Sequence, residues 1–118
     1  MRPRAALLLG LLVLTTAGAG ELWRLVRTIG ETHMVVVDTV SLNEDDGYWQ
    51  AIRTLCAGKR ACRIMFWTDE AQVPAALPLT DAQAKAKVAD WLYDESTGHR
   101  QLLRAYDIAT ESADCGAE

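Results

Sequence analysis

The stretch that decides the fold is AIRTLCAGKRACRIMFWTD, residues 51–69. Just before and within it, apolar side chains recur at the spacing of one helix face. These side chains are Tyr48, Ile52, Leu55 and Cys56. The helix is expected to end at Gly58, because glycine adopts a left-handed C-terminal cap without a steric penalty. The apolar and aromatic run at residues 61–67 is typical of a largely buried strand. A helix–turn–strand corner is therefore predicted around Gly58.

The three cysteines of the chain are Cys56, Cys62 and Cys115. A disulfide between the first two would clamp the corner, provided that their Cα atoms lie within about 7 Å. The loop-entropy model gives about 2.4 kcal/mol for that short loop and about 4.3 kcal/mol for a loop closed by Cys115. We favour a bond to Cys115, because it would also hold the polar C-terminal tail. The odd cysteine would be buried or would link two copies into a homodimer.

Two runs of apolar and β-branched residues precede the corner, at residues 21–29 and 33–40. Gly30 stands at the first central position of the short turn between them, which is typical of a type II′ hairpin. An antiparallel pair of strands is therefore predicted. A polar loop follows, in which Asp45 or Asp46 is expected to be the N-cap of the central helix.

A second helix is predicted downstream of the corner. Pro74 and Pro78 exclude a long helix before residue 79. Thr80 and Gln83 then have the spacing of a capping box, which predicts a helix from there to about residue 95, ended by Gly98. The apolar face of this helix would consist of Ala84, Val88, Trp91 and Leu92.

A final strand is expected over residues 100–108. The predicted order is thus β-β-α-β-α-β. The chain is interpreted as a small single α+β domain, with helices packed on one face of a mostly antiparallel or mixed sheet.

The first 19 residues have the pattern of a secretory signal peptide. Two arginines precede an apolar run, and small residues lead up to Ala19. The apolar run is shorter than the roughly 20 residues that cross a bilayer, so cleavage is expected rather than a membrane anchor. The exported domain would then comprise residues 20–118, which number 99, in the periplasm or outside the cell.

The charge balance disfavours two classes of partner. The chain has 12 basic and 16 acidic residues, and removal of the two signal-peptide arginines changes the net charge from −4 to −6. An acidic surface disfavours nucleic acid, whose binding depends on phosphate neutralisation. It also disfavours anionic membranes. A basic envelope or secreted protein is a compatible partner, and ordinary solubility is the simpler explanation of the charge.

Few residues could carry catalysis. His33, expected in the second strand, and His99, expected at the start of the last strand, are the only histidines. A small hydrolase or thiol enzyme would use one of them with Cys62 or nearby acids. A zinc site could be drawn with Glu31, but the spacing does not require one, so no metal or cofactor is predicted. The acids that could serve glycoside hydrolysis are instead expected at helix starts and in loops. They are Glu44, Asp45, Asp46, Asp69 and Glu70.

Aromatic residues occur in adjacent or nearby pairs, of which one member is expected in the core and the other near the surface. Trp49, Trp67 and Tyr93 are the members expected to share an exposed patch, as partner or glycan surfaces often do. The leading hypothesis is a non-enzymatic exported accessory or binding module that acts through protein contacts. The alternatives are the small hydrolase or thiol enzyme and a disulfide-linked structural component of the envelope.

Overall fold

The computed structural model describes residues 22–105. Within this part of the chain, five strands form one mixed sheet in the order β1-β2-β3-β4-β5. The pair β2–β3 is parallel, and the other three neighbouring pairs are antiparallel. The strands are β1 (Trp23–Ile29), β2 (Thr32–Val37), β3 (Ala61–Trp67), β4 (Ala89–Asp94) and β5 (His99–Arg104). The predicted α+β class and single mixed sheet are confirmed.

Two helices accompany the sheet, α1 (Asp46–Leu55) and α2 (Asp81–Ala86). Short 3-10 turns lie at Thr39–Leu42 and Glu70–Gln72. The helix α1 provides the crossover that a parallel strand pair requires. Its apolar stripe packs on the sheet through Tyr48, whose ring meets that of Phe66 edge to face at a centroid distance of 4.9 Å.

The two faces of the sheet are covered by different segments. On the face that α1 covers, hereafter the α1 face, the buried residues of β2 and β3 are Val35, Val37, Cys62, Ile64 and Phe66. On the opposite face, hereafter the α2 face, Met34, Met65 and Trp67 are buried under the segment that contains Val73, Leu79 and Ala86. The helices therefore lie on opposite faces, whereas the sequence analysis placed both on one. The reason is that the central strands are apolar on both sides, so both sides need a cover.

The N-terminal hairpin agrees with the prediction. Ile29 pairs with Thr32, which leaves a two-residue loop, and Gly30 has the positive φ of 63° expected at its first position. Asp45, one of the two acids predicted to cap this helix, is the N-cap residue of α1. Its side chain makes no capping hydrogen bond and instead forms an ion pair with Arg104.

The second half of the chain departs from the prediction. The capping box of Thr80 and Gln83 is present, but α2 ends at Ala86 and residues 89–94 form β4. Gly98, with a φ of 76°, lies in the turn between β4 and β5 and does not end a helix. An apolar run of this length fits a strand or a helix, and here pairing with β3 decides for the strand. The last strand is His99–Arg104, and the rest of its predicted span from residue 106 lies outside the described residues.

A disulfide joins Cys56 and Cys62, whose Cα atoms are 5.6 Å apart. It connects the end of α1 to the start of β3, so the corner around Gly58 is covalently closed. The preference for a bond from either cysteine to Cys115 is therefore wrong, because the local geometry already satisfies the disulfide. Cys115 itself and the predicted signal peptide lie outside the described residues. Within residues 22–105, no helix has the length and apolar character needed to cross a membrane.

Candidate functional site

A groove of about 420 Å³ opens on the α1 face, between the C-terminal end of α1 and the β4–β5 hairpin. Its volume lies in the range of sites that accept small molecules or protruding side chains. The lining is mostly apolar and aromatic, with a basic residue from each wall. The lining residues are Ile52, Arg53, Cys56, Ala57, Trp91, Tyr93 and Arg100.

The pairing register of the hairpin builds one wall of the groove. Trp91 and Tyr93 are two residues apart on β4, so both side chains lie on the α1 face. Arg100 of β5 pairs directly with Tyr93 and so lies on the same face. The disulfide holds Cys56 at the opposite wall, next to the corner that begins β3.

Trp91 is the buried floor of the groove, with 3% of its surface exposed. The Trp49 ring meets it edge to face at a centroid distance of 5.6 Å. The guanidinium carbon of Arg100 lies 5.9 Å from the Trp91 ring centroid, within the range of a cation–π contact. The indole Nε1 of Trp91 is buried and has no hydrogen-bond partner among residues 22–105. Trp91 thus positions one arginine and carries an unused donor.

The groove is positively charged. Arg53 and Arg100 line it, and none of the acids within residues 22–105 does. The ion pairs of the described residues involve other cations, namely Arg24, Arg63, Lys87 and Arg104. Within residues 22–105, neither groove arginine therefore has an ion-pair partner.

The predicted aromatic patch is not one surface. Trp67 is fully buried on the α2 face, where its Nε1 donates a hydrogen bond of 2.9 Å to the carbonyl oxygen of Gln83. Trp49 and Tyr93 are half-buried on the α1 face. The prediction that Trp67 is exposed is wrong, because β3 is a central strand covered on both faces and leaves neither Phe66 nor Trp67 at the surface.

The two histidines lie in the predicted strands but not near each other. His33 is on β2 and His99 is on β5, with two strands between them and on opposite faces by register. The Nδ1 atom of His33 is 3.0 Å from Thr28 Oγ1. Burial, and secondarily the charge of Lys59, lower the pKa of His33 below its usual value. His99 Nε2 lies 3.2 Å from Gln101 Oε1.

Two kinds of chemistry suggested for these histidines need a free thiol or a metal ion. Cys62 is in the disulfide with Cys56, so it offers no free thiol to either imidazole. In the described part of the chain, no group of three or more His, Cys, Asp or Glu residues is arranged to hold a metal ion.

Several acids have structural roles. Asp45 pairs with Arg104, and Glu70 pairs with Arg24. Asp69 accepts a hydrogen bond from the Ala71 amide, which caps the 3-10 turn at Glu70–Gln72. In the β4–β5 turn, hydrogen bonds from the Ser96 hydroxyl and amide lower the pKa of Asp94.

Arg53, Trp91 and Arg100 line the groove but were not predicted as site residues from the sequence. The signal that could have identified two of them is the period-2 alternation of residues 89–94 followed by a turn and His99. Read as a hairpin, it places Trp91 and Arg100 on one face.

Comparison of the chain with family models, with curated proteins and with solved structures finds no match in any of the three. Function is therefore inferred from the chemistry of the groove. Its aromatic floor and its arginines without ion-pair partners are the features that a ligand would contact.

Proposed function

We propose that this protein is a non-enzymatic exported accessory module that binds another protein through the groove at the end of α1. The observation that carries the proposal is the combination of an aromatic floor with two exposed arginines in one open depression. Tryptophan, tyrosine and arginine are the residues that most often dominate the binding energy of protein interfaces. The groove holds all three types within its seven lining residues.

The size of the groove supports recognition of a short segment. A standard protein–protein interface buries about 800 Å² on each partner. A depression of about 420 Å³ accepts one or two side chains at the centre of such an interface. The surrounding end of α1 and the β4–β5 hairpin would form the rim.

The proposed location is the periplasm or the outside of the cell. The signal-peptide pattern of the first 19 residues supports export. The disulfide is compatible with it, because such bonds persist in oxidising compartments. N-terminal sequencing of the protein from its host tests this location: a mature start after Ala19 is expected, and an intact N-terminus on protein retained inside the cell would contradict it.

Site-specific photo-cross-linking tests the binding role. A diazirine-bearing amino acid is placed at Ala57, which is exposed and lines the groove. The matched control carries the same amino acid at Leu92, which is 39% exposed and lies on the opposite face of β4. Irradiation of host cells is expected to give a discrete protein adduct from the Ala57 position, absent from the Leu92 position. No adduct at Ala57, or equal adducts at both positions, would contradict the proposal.

A further inference from the structure

We infer that the groove recognises a protein segment in which a carboxylate lies next to an aromatic or large aliphatic side chain. The inference depends on the proposed function and adds the chemistry of the partner. Three observations support it: the positive charge of the groove, the apolar surface beneath that charge, and the different composition of two other depressions in the described structure.

The local charge of the groove is opposite to the charge of the whole chain. The chain has a net charge of −4, yet the described residues that line the groove include two arginines and no acid. The ion pairs of residues 22–105 involve other cations, as in the pairs Asp45–Arg104 and Asp90–Arg63. A partner carboxylate would provide the counter-charge and could accept two parallel hydrogen bonds from one guanidinium group. The basic partner suggested by net charge alone is therefore not the one that fits this site.

The arginine of the hairpin is held in place before a partner arrives. Its contact with the Trp91 ring restricts Arg100 on the α1 face, beside Tyr93. A side chain that is already restricted loses less conformational entropy when it binds a carboxylate. Stacking on an aromatic ring also leaves the edges of a guanidinium group available for hydrogen bonds.

The surface beneath the arginines accepts an apolar side chain. Ile52, Cys56 and Ala57 line one side of the groove. Tyr93 lines the other side, and Trp91 forms the floor. An aromatic side chain of the partner would bury area against both walls and could stack against Tyr93. A carboxylate on the adjacent residue would then lie at the rim, where the arginines are.

Two other depressions lack this combination. The depression on the α2 face contains Arg63, which Asp90 pairs with at 3.2 Å, and this depression has a volume of about 140 Å³. The depression near the β4–β5 turn contains Arg60 together with Asp94 and Glu95, so its charge is mixed. Among these sites, the α1-face groove alone combines aromatic walls with an excess of positive charge.

Peptide binding, measured by fluorescence anisotropy, tests the inference. The protein used is the form that its host cell produces, with the disulfide intact. The probe is a labelled peptide with the core Glu-Phe-Asp. Its two controls are the isosteric Gln-Phe-Asn peptide, which lacks the carboxylates, and Glu-Ala-Asp, which lacks the aromatic ring. The Kd for Glu-Phe-Asp is expected to be at least tenfold lower than for either control. A Gln-Phe-Asn peptide that binds within twofold of the acidic peptide would overturn the inference.

Charge reversal in the protein gives the matched variants. Arg100→Glu and Arg53→Glu are each expected to raise the Kd for Glu-Phe-Asp at least tenfold. Arg27→Glu makes the same change of charge at an exposed β1 residue without an ion-pair partner in the described structure, and is expected to change the Kd less than twofold. Thermal melts establish that each variant is folded, and Arg53 and Arg100 test the same charge from different elements. Equal effects of all three variants would overturn the inference.

Combining these variants with the Ala57 cross-linker separates this inference from the proposed function. An adduct that Arg100→Glu abolishes, and Arg27→Glu preserves, supports both. An adduct that persists undiminished with Arg100→Glu supports the binding module and overturns the carboxylate partner. The absence of any adduct without charge reversal contradicts the binding module itself.

Discussion

The two faces of the sheet use arginine in different ways. On the α2 face, Arg63 shares the carboxylate of Asp90 with Lys87, at 3.2 and 2.8 Å. On the α1 face, Arg100 lies over Trp91, and within residues 22–105 no acid pairs with it. The first arrangement pairs two cations with a carboxylate of the same fold, and the second leaves an arginine at a groove without an acid of the described residues paired to it. The local charge of a surface can therefore differ in sign from the net charge of the chain.

The largest effect is expected from Trp67, which holds the α2 face closed. Trp67→Ala would remove a fully buried side chain and its hydrogen bond to Gln83, at a cost of about 3–5 kcal/mol in the free energy of unfolding. Urea denaturation of the oxidised protein measures this loss. Trp67→Phe, which keeps an aromatic ring, is the control and should lose less. A loss below about 1 kcal/mol for Trp67→Ala would mean that the α2 face is not closed by packing.

The next largest loss of stability is expected on removing the disulfide, which lies on the α1 face. The double variant Cys56→Ala/Cys62→Ala is expected to lose about 2.4 kcal/mol, because the unfolded chain regains the entropy of the open loop. Urea midpoints of the wild type with and without a reducing agent provide the comparison. Reduction should shift the wild type towards the double variant and leave the variant unchanged. A wild type that is insensitive to reduction would argue against the corner bond.

A smaller effect on stability distinguishes the ion-paired Arg63 from Arg100, which has no ion pair within residues 22–105. Asp90→Asn removes the partner of both Arg63 and Lys87, and should cost up to about 1 kcal/mol because these pairs are partly exposed. Arg100→Gln should cost about 0.5 kcal/mol, because it loses an exposed cation–π contact with Trp91 but no ion pair. Both are measured by urea denaturation at low salt. A larger loss for Arg100→Gln would assign Arg100 a structural role and remove the contrast between the faces.

The smallest effect is the contribution of His33 to the pH dependence of the free energy of unfolding. His33 lies on the α1 face of β2. Its pKa is lower in the folded protein than in the unfolded chain, so below the unfolded pKa the unfolded state binds more protons. The contribution of His33 is therefore fully present above the usual histidine pKa of about 6.5 and is lost as pH falls towards the folded pKa. Unfolding free energies between pH 7.5 and pH 5 should decrease less in His33→Gln than in the wild type. Parallel pH profiles for the two proteins would contradict this assignment.

Much of the fold could be predicted because its signals are local. The turn at Gly30, the end of α1 near Gly58 and the capping box of Thr80 and Gln83 each depend on neighbouring residues, and each is present. The strand β4 was predicted as part of a helix, because the same six residues fit a helix face as well as a period-2 strand, and pairing with β3 decides between the two. Cover on both faces of β3, which buries Trp67, is equally a tertiary property.

The candidate site was less predictable than the fold. That Arg53 and Arg100 form no ion pair within residues 22–105 depends on which acids the register brings to the other cations, and sequence spacing does not give this. The strand positions of His33 and His99 were predicted, but the sequence did not reveal that they lie on opposite faces. Charge pairing across a sheet is therefore information that only the folded chain contains.

The order of strands in the sheet is the order of strands in the chain. Each strand consequently finds its hydrogen-bonding neighbour in the segment synthesised just before it. A polypeptide that emerges with its N-terminus first can extend the sheet by one strand at a time. No strand then has to remain unpaired until a segment far along the chain has emerged. Such stepwise growth would shorten the time during which the inner strands β2, β3 and β4 present an open edge to a foreign strand.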